Sequence, residues 1–279
     1  MPYPILHLPY GLQQRFRSFA TPKERYNLQV AIGFEKNYFG PLQMLANYSE
    51  YDDSELTGYC DGLSIISDDG STRDCKNDDL FVVNGNLKIC LKELDYDKSY
   101  FDHILLKCSS FQIGGGVVNP AVLHKLPKLC DSKLLTYLEV RDCTPDTTLR
   151  LIFDSFSNLD YLDIHSPDYE SNWMQDILTF KKLNLTMLTF QSRFEKVFCF
   201  EPHELSLLYN NLPPKFFLSL DCAESPKDAV QLVRQKFGSH FKELKSASNN
   251  PSRNLEIIIQ ECSRQHYLYF QIGFRQISL

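Results

Sequence analysis

The chain has 279 residues, 43% of them hydrophobic, with 20 Phe and 15 Tyr, and a formal charge of −6 at pH 7. That length and apolar content suit one large domain or two unequal ones with a real core, and no run approaches the roughly 18 consecutive apolar residues of a membrane span. The mild acidity is the opposite of the basic stripe that general nucleic-acid binding needs, so neither nucleic acid nor membrane is an expected partner.

The chain opens with PILHLPYGLQQRFRSFATPKERYNLQVAIGF, residues 4–34. Leu8-Pro9 leads into a first predicted helix on which Leu12, Phe16 and Phe19 share one face. Thr21-Pro22-Lys23-Glu24 reads as a capping box with proline at the first helical position. Thr21 accepts from the Glu24 N–H, and the Glu24 side chain reaches back. The second predicted helix carries Tyr26, Leu28, Val30 and Ile32 among polar residues. Two helices of about ten residues each bury little by themselves. The hairpin is therefore either a docking module or a cap that shields whatever follows.

Residues 50–79 hold ten acids, Glu50, Asp52, Asp53, Glu55, Asp61, Asp68, Asp69, Asp74, Asp78 and Asp79, against Arg73 and Lys76. Such a run predicts a solvated, loop-rich connector over 49–99 that holds only the first irregular elements.

From about residue 100 a strand pattern recurs. Short alternating runs begin at Ile104, Leu135, Leu159, Leu185, Phe216 and Leu255, each with the period of two that marks a strand. Three of them share one template: Leu135-x-x-Leu138-x-Val140, Leu159-x-x-Leu162-x-Ile164 and Leu185-x-x-Leu188-x-Phe190, spaced 24 and 26 residues apart. That spacing and the L-x-x-L-x-L core lie in the range of leucine-rich repeats.

Helical patterns separate the strands. Leu149, Ile152, Phe153 and Phe156 form one apolar face. Trp173, Ile177 and Phe180 form a second, Leu205, Leu208 and Leu212 a third, and Ala229, Leu232, Val233 and Phe237 a fourth. Thr144-Pro145-Asp146, Glu201-Pro202-x-Glu204 and Ser225-Pro226-x-Asp228 read as helix starts, with Pro in the first turn and an acid against the dipole. Strand, turn, helix and strand at a near-constant period predict a parallel-sheet solenoid. An ordinary α/β domain with elements of similar length is the alternative.

Catalytic and metal motifs are missing from the sequence. Gly114-Gly115-Gly116 is followed by Val117, Val118 and Asn119, which fits neither a phosphate loop nor a dinucleotide loop. The seven histidines include no H-E-x-x-H. Nine cysteines stand no closer than 13 positions apart, so no ligand pair starts a zinc site. Cys108, Cys143, Cys222 and Cys262 end strands, where a thiol packs as a small hydrophobe. A Cys–His nucleophile stays open, since spatial adjacency is invisible in sequence. Unpaired cysteines suit a reducing cytosol or nucleus. Neither a metal nor a cofactor is expected, and the chain reads as a non-enzyme.

The opening register resembles an F-box. That family's pattern is Leu-Pro, apolar positions along a first helix, a Pro-containing acidic turn and an apolar second helix. Leu8, Pro9, Leu12, Phe16, Thr21, Pro22, Glu24, Leu28 and Val30 fall on it without a gap. The form PILHLPY is similar to the divergent F-box families of nematodes, which couple this module to leucine-rich-like or other recognition domains. The resemblance covers about residues 4–45. It implies that Leu8, Pro9, Leu12, Phe16, Pro22, Leu28 and Val30 dock a Skp-type linker protein, which joins a cullin–RING ubiquitin ligase, while the C-terminal part holds an unknown target protein. The ligase reaction then gains from effective concentration. A protein-interaction scaffold with a degenerate F-box and no ligase coupling is the alternative.

The expected fold class is thus α/β. A helical F-box-like module (1–48) and an acidic connector (49–99) precede an irregular leucine-rich-repeat-like solenoid with a parallel sheet (100–279). If Leu138 and Val140 face the core, Glu139 and Arg141 face out. The same register turns out Asp163 and His165, Thr189 and Gln191, and Ser219 and Asp221. Stacked strands would align these eight into a polar ladder, the expected target-binding face.

Overall fold

The computed structural model describes residues 7–33, 43, 45–48, 53–59, 62–67, 72–74, 79–90, 102–130, 132–167, 169, 172–180, 183–246, 254–261 and 264–272. The chain divides into two compact units, Met1–Cys108 and Ser109–Leu279. It is mixed α/β with a mostly parallel sheet. No helix among the described residues is long and apolar enough to cross a membrane.

The first unit begins with α1 (Tyr10–Phe19) and α2 (Pro22–Ile32). Strands β1 (Leu45–Tyr48), β2 (Asp53–Tyr59), β3 (Gly62–Ser67), β4 (Thr72–Asp74) and β5 (Leu80–Cys90) follow. The stretch expected to be a loop-rich connector therefore carries regular strands. Of the four described acids, Asp53 and Asp74 stand at strand ends and Asp79 just precedes β5, so the charge count hid the short apolar runs such as Leu63-Ser64-Ile65-Ile66; Glu50, Asp52, Asp61, Asp68, Asp69 and Asp78 lie outside the described residues. β5 is the axis of this unit. It pairs in parallel with β1 through its first half and with β2 through its second half, and β2, β3 and β4 continue as an antiparallel meander. Gly85 separates the two halves with a φ of 76°, a left-handed conformation that glycine adopts without strain. Leu80, Val82 and Leu105 form a buried cluster, and Tyr26 of α2 and Leu45 of β1 pack against it.

In the second unit strands and helices alternate. The strands are β6 (Ile104–Gly114, running across the division), β7 (Tyr137–Arg141), β8 (Tyr161–His165), β9 (Met187–Arg193), β10 (Phe217–Glu224), β11 (Lys242–Leu244), β12 (Asn254–Glu261) and β13 (Arg264–Gln271). Between them lie α3 (Pro120–Leu129), α4 (Leu149–Ser155), α5 (Trp173–Leu178), α6 (Phe194–Val197), α7 (Pro202–Asn211) and α8 (Ala229–Phe237). The sheet runs β6-β7-β8-β9-β10-β12-β13-β11, parallel as far as β12. It ends antiparallel, because β13 returns beside β12 and β11 pairs with β13. The expected all-parallel sheet thus gives way at its C-terminal end to a hairpin.

Register decides the core. One column runs Phe111, Leu138, Leu162, Leu188, Leu218 and Leu255. The next runs Ile113, Val140, Ile164, Phe190, Leu220 and Ile257, and every member of both is 1% exposed or less. The leading leucines Leu135, Leu159 and Leu185 are buried as well. Each such side chain contributes on the order of 1.5–3 kcal/mol by leaving water. Successive helices pack side by side, α3 on α4, α4 on α5 and α5 on α7.

Helix starts follow capping chemistry more closely than the proline positions. Glu201-Pro202 begins α7 where the sequence predicts a helix start, and the Glu201 N–H donates to Glu204 Oε2 at 2.7 Å. At Thr144-Pro145 the helix waits until Leu149. The hydroxyls of Thr144 and Thr147 both donate to the Val118 carbonyl, which leaves Thr148 to cap α4. At Ser225-Pro226 the helix begins only at Ala229. α8 buries Ala229, Val233 and Phe237, while Leu232, expected on that face, is exposed.

Trp173 anchors α5. It is fully buried, stacked on Phe190 at 5.2 Å between ring centroids and edge-on to Phe200 at 5.3 Å, and its Nε1 donates to the Val197 carbonyl at 3.2 Å. Trp173→Ala should therefore destabilise the protein by about 3–5 kcal/mol, and Trp173→Phe by clearly less. Urea unfolding followed by circular dichroism measures both, and equal losses would mean that the aromatic stack contributes nothing.

Candidate functional site

Two surfaces carry the expected site residues, one in each unit. The first is the α1–α2 hairpin. The Gln13 side-chain amide donates to the Leu8 carbonyl at 2.8 Å, which ties the entry to α1. The capping box is complete: the Glu24 N–H donates to Thr21 Oγ1 at 3.3 Å, and the Thr21 N–H donates to Glu24 Oε2 at 2.9 Å. At its other end α2 stops at Gly33, whose φ is 92° and whose N–H donates to the Gln29 carbonyl at 3.0 Å. The inner side of α2 is Pro22, Tyr26 and Gln29, and the Gln29 side-chain oxygen accepts from the Gln43 N–H at 2.9 Å.

α1 has no buried residue. Its apolar stripe faces solvent, with Leu12 49%, Phe16 44% and Phe19 81% exposed. Phe16, Phe19, Ala20, Glu24, Asn27 and Leu28 line a cavity of about 440 Å³. Of the seven residues expected to dock a linker, Phe16 and Leu28 meet in this cavity, and Leu12 lies on the same stripe of α1. Leu8 is half-buried and Pro9 is exposed at the N-cap. Pro22 is buried, so its part is to start α2 rather than to offer surface. Val30 is exposed but stands about 200° around the helix from Leu28. Phe19, left out of the expected set, is the most exposed of the stripe. Its position three residues after Phe16 is the signal that marks it.

The second surface is the polar face of the sheet in residues 109–279. The expected ladder is in register: Glu139, Asp163, Thr189 and Ser219 align across β7 to β10, and Gln112 and Glu256 extend that row. Arg141, His165, Gln191 and Asp221 form the next row. Two members depart from the expectation of an outward face, because Glu139 is 5% and Ser219 4% exposed. Glu139 is enclosed by its neighbours: Arg141 Nε donates to its Oε1 at 2.5 Å, and the Tyr137 hydroxyl donates to its Oε2 at 3.3 Å. Ser219 Oγ donates to Glu256 Oε2 at 3.3 Å. Arg141 itself stays open to solvent, and Thr189 is half-buried.

A row of larger side chains that the sequence reading did not single out borders the ladder. Tyr137, Tyr161, Met187 and Phe217 stand in register at the starts of their strands. The Tyr137 and Tyr161 rings lie 6.5 Å apart, and Tyr161 is 45% exposed. Each precedes an apolar core position by one residue, which is the pattern that reveals them. Burial first, then the charges of Glu139 and Asp163, push the Tyr137 phenol up to about 12, so it remains a donor.

His165 sits at the centre of the second row. Its Nε2 lies 2.9 Å from Asp163 Oδ1, and its Nδ1 lies 2.5 Å from Gln191 Oε1. The Gln191 amide nitrogen donates to Asp221 Oδ2 at 2.8 Å. Asp163 Oδ1 is buried. The His165 contact, close but poorly angled, is its one partner among the described residues. Asp163 holds the His165 pKa above its ordinary value; burial opposes this and Gln191 adds to it. Burial raises the Asp221 carboxyl, against the Gln191 donor and the His165 charge.

Burial pushes Cys143 up to about 12 and raises Cys222 as well, the reverse of what a reactive cysteine needs. Among the described residues no group of three or more His, Cys, Asp or Glu side chains is placed to hold a metal ion. In comparisons with known proteins, no protein-family model and no curated protein matches the chain.

The His165 environment fixes the sign of a pH effect. Its folded pKa lies above the unfolded value of about 6.5. Its contribution to stability is therefore fully present below pH ~6.5 and is lost as pH rises through the folded pKa. The melting temperature should fall over that window, and His165→Gln should flatten the fall. Thermal scans of both proteins between pH 5.5 and 9 measure it, and parallel curves would remove His165 from the account.

Proposed function

We propose that the chain is a non-enzymatic adaptor. The α1–α2 hairpin is an F-box-like handle that docks a Skp-type linker protein, and the polar sheet face of residues 109–279 receives a target protein for a cullin–RING ubiquitin ligase in the cytosol or nucleus. In this reading the second unit is an irregular leucine-rich-repeat-like array, supported by the recurrence of L-x-x-L-x-Φ at spacings of 24 and 26 residues, where Φ is apolar. The observation that carries the handle is α1. It is a well-formed helix with nothing buried, and it turns Leu12, Phe16 and Phe19 to solvent beside a cavity that Leu28 helps to line. An exposed apolar stripe on an ordered element is costly unless a partner covers it. A few such side chains supply most of the affinity of an interface of this kind.

The reading assigns the chain no chemistry of its own, since proximity alone speeds transfer to a held target. Leu12→Ala/Phe16→Ala should reduce capture of a purified Skp-type protein at least tenfold. The melting temperature should stay within about 2 °C, because both residues are already solvent-exposed. Pull-down with the full-length chain measures the first and thermal scanning the second. Undiminished capture, or no capture by the unaltered protein, removes the adaptor reading.

A further inference from the structure

On the sheet face His165, Gln191 and Asp221 of the second row are linked by hydrogen bonds, and Asp163 of the first row lies at the other side of the His165 ring as an ion-pair contact, so both ends of the series are carboxylates. An ionised carboxylate only accepts, so Asp221 requires the Gln191 amide to turn its NH2 toward it. That turns Gln191 Oε1 toward His165, and the oxygen then requires a proton on Nδ1. At the other end Asp163 requires a proton on Nε2. With both acids ionised, one arrangement satisfies every contact: His165 as the doubly protonated imidazolium. The three contacts, at 2.9, 2.5 and 2.8 Å, bring the four groups close enough for their protonation states to be linked.

Removal of one proton breaks it in one of two ways. If His165 keeps the Nε2 proton, its Nδ1 lone pair faces Gln191. The amide must then turn over, and its oxygen comes to face the Asp221 carboxylate. If His165 keeps the Nδ1 proton, the Nε2 lone pair faces Asp163. One carboxylate loses its donor in either case, and the sheet face becomes one charge more negative. We propose that Asp163, His165, Gln191 and Asp221 form a proton-gated relay across β8, β9 and β10, in which loss of a proton from His165 to solvent releases one of the two end carboxylates. The N–H bond is the one covalent bond that breaks, and the reverse step restores it.

The surroundings set the gate. On β7, Arg141 is the register partner of His165, and its charge is engaged with Glu139. Glu139 favours the imidazolium from that side. On β8 the neighbouring groups are Asp163 and Tyr161. On β9 they are Gln191 and, at the strand end, Arg193, which faces Glu224 of β10 at 3.5 Å. On β10 the group is Asp221, and Glu256 of β12 adds its charge to the Asp221 side. Acids outnumber free cations around the ring, and the His165 pKa is accordingly held above its ordinary value. The relay stands whether or not the hairpin docks a linker, so failure of one leaves the other intact.

The test is an NMR titration of the full-length protein between pH 5 and 9, following the His165 ring and the Gln191 side-chain amide. Both should move with one midpoint, above 6.5. Amide signals that stay constant while the ring titrates would overturn the relay without any substitution. The second arm is a double-mutant cycle. Asp221→Asn frees Gln191 to turn and should lower the His165 midpoint by about half a pH unit. With Gln191→Met already present, Asp221→Asn should change it by less than half as much. Equal shifts in the two backgrounds would show that Asp221 acts through space alone, and would also overturn the relay.

Discussion

Side chains on a strand alternate between faces, so a one-residue slip between β7 and β8 would exchange Leu162 and Ile164 for the residues beside them and put Asp163 into the core. That penalty recurs at every parallel pair from β6 to β12. The six-strand columns headed by Phe111 and Ile113 exclude every odd-residue slip, since each would split the apolar rows between the two faces. The helices obey the same constraint. Trp173 reaches Phe190 because Phe190 occupies the inner column, and Tyr169 meets that same ring edge-on at 5.2 Å while its hydroxyl accepts from the Leu149 N–H. The core and the helical layer are thus one packing problem, solved by the strand period.

The polar face is the unavoidable other half of that solution. Fixing Leu138 and Val140 inward fixes Glu139 and Arg141 outward, and the same holds along each strand. What register alone leaves open is how the outward groups treat one another. Parallel strands lie about 4.8 Å apart, so side chains in one row are within reach of their neighbours. Here they close upon themselves: Arg141 and Tyr137 on Glu139, Gln191 on Asp221, Ser219 on Glu256. A face that engages its own charges offers a partner little free charge. In the proposed adaptor reading, target contact then falls to exposed rings such as Tyr161 and to groups whose engagement depends on a proton.

The N-terminal hairpin works on different physics. No strand register fixes its side chains, and its local signals are complete in themselves: Pro9 at the N-cap, the reciprocal Thr21–Glu24 capping box, Gly33 at the C-cap. Those contacts shape the helices but say nothing about which side is covered. Tertiary packing uses Pro22, Tyr26 and Gln29 of α2 and leaves the apolar stripe of α1 uncovered. A buried Gln29 on α2 and an exposed Phe19 on α1 are the inverse of a simple amphipathic reading.

The sequence by itself determined the alternation of strands and helices beyond residue 100, the columns of the L-x-x-L-x-Φ template, the capping box and the alignment of the polar ladder. All of these follow from short-range periodicity and backbone hydrogen bonding, which depend on residues a few positions apart. Only the tertiary structure decided the rest. It placed strands within the acidic stretch 53–90, where charge at strand ends masked the apolar runs. It delayed the starts of α4 and α8, turned the last strands antiparallel, enclosed Glu139 and Ser219, and set His165 between Asp163 and Gln191. Several of these depend on a side chain that arrives from far along the chain: Gln191 meets Asp221 from 30 positions away and His165 from 26, and Glu256 meets Ser219 from 37. No local pattern encodes such a meeting, because it exists only once the strands have taken their register.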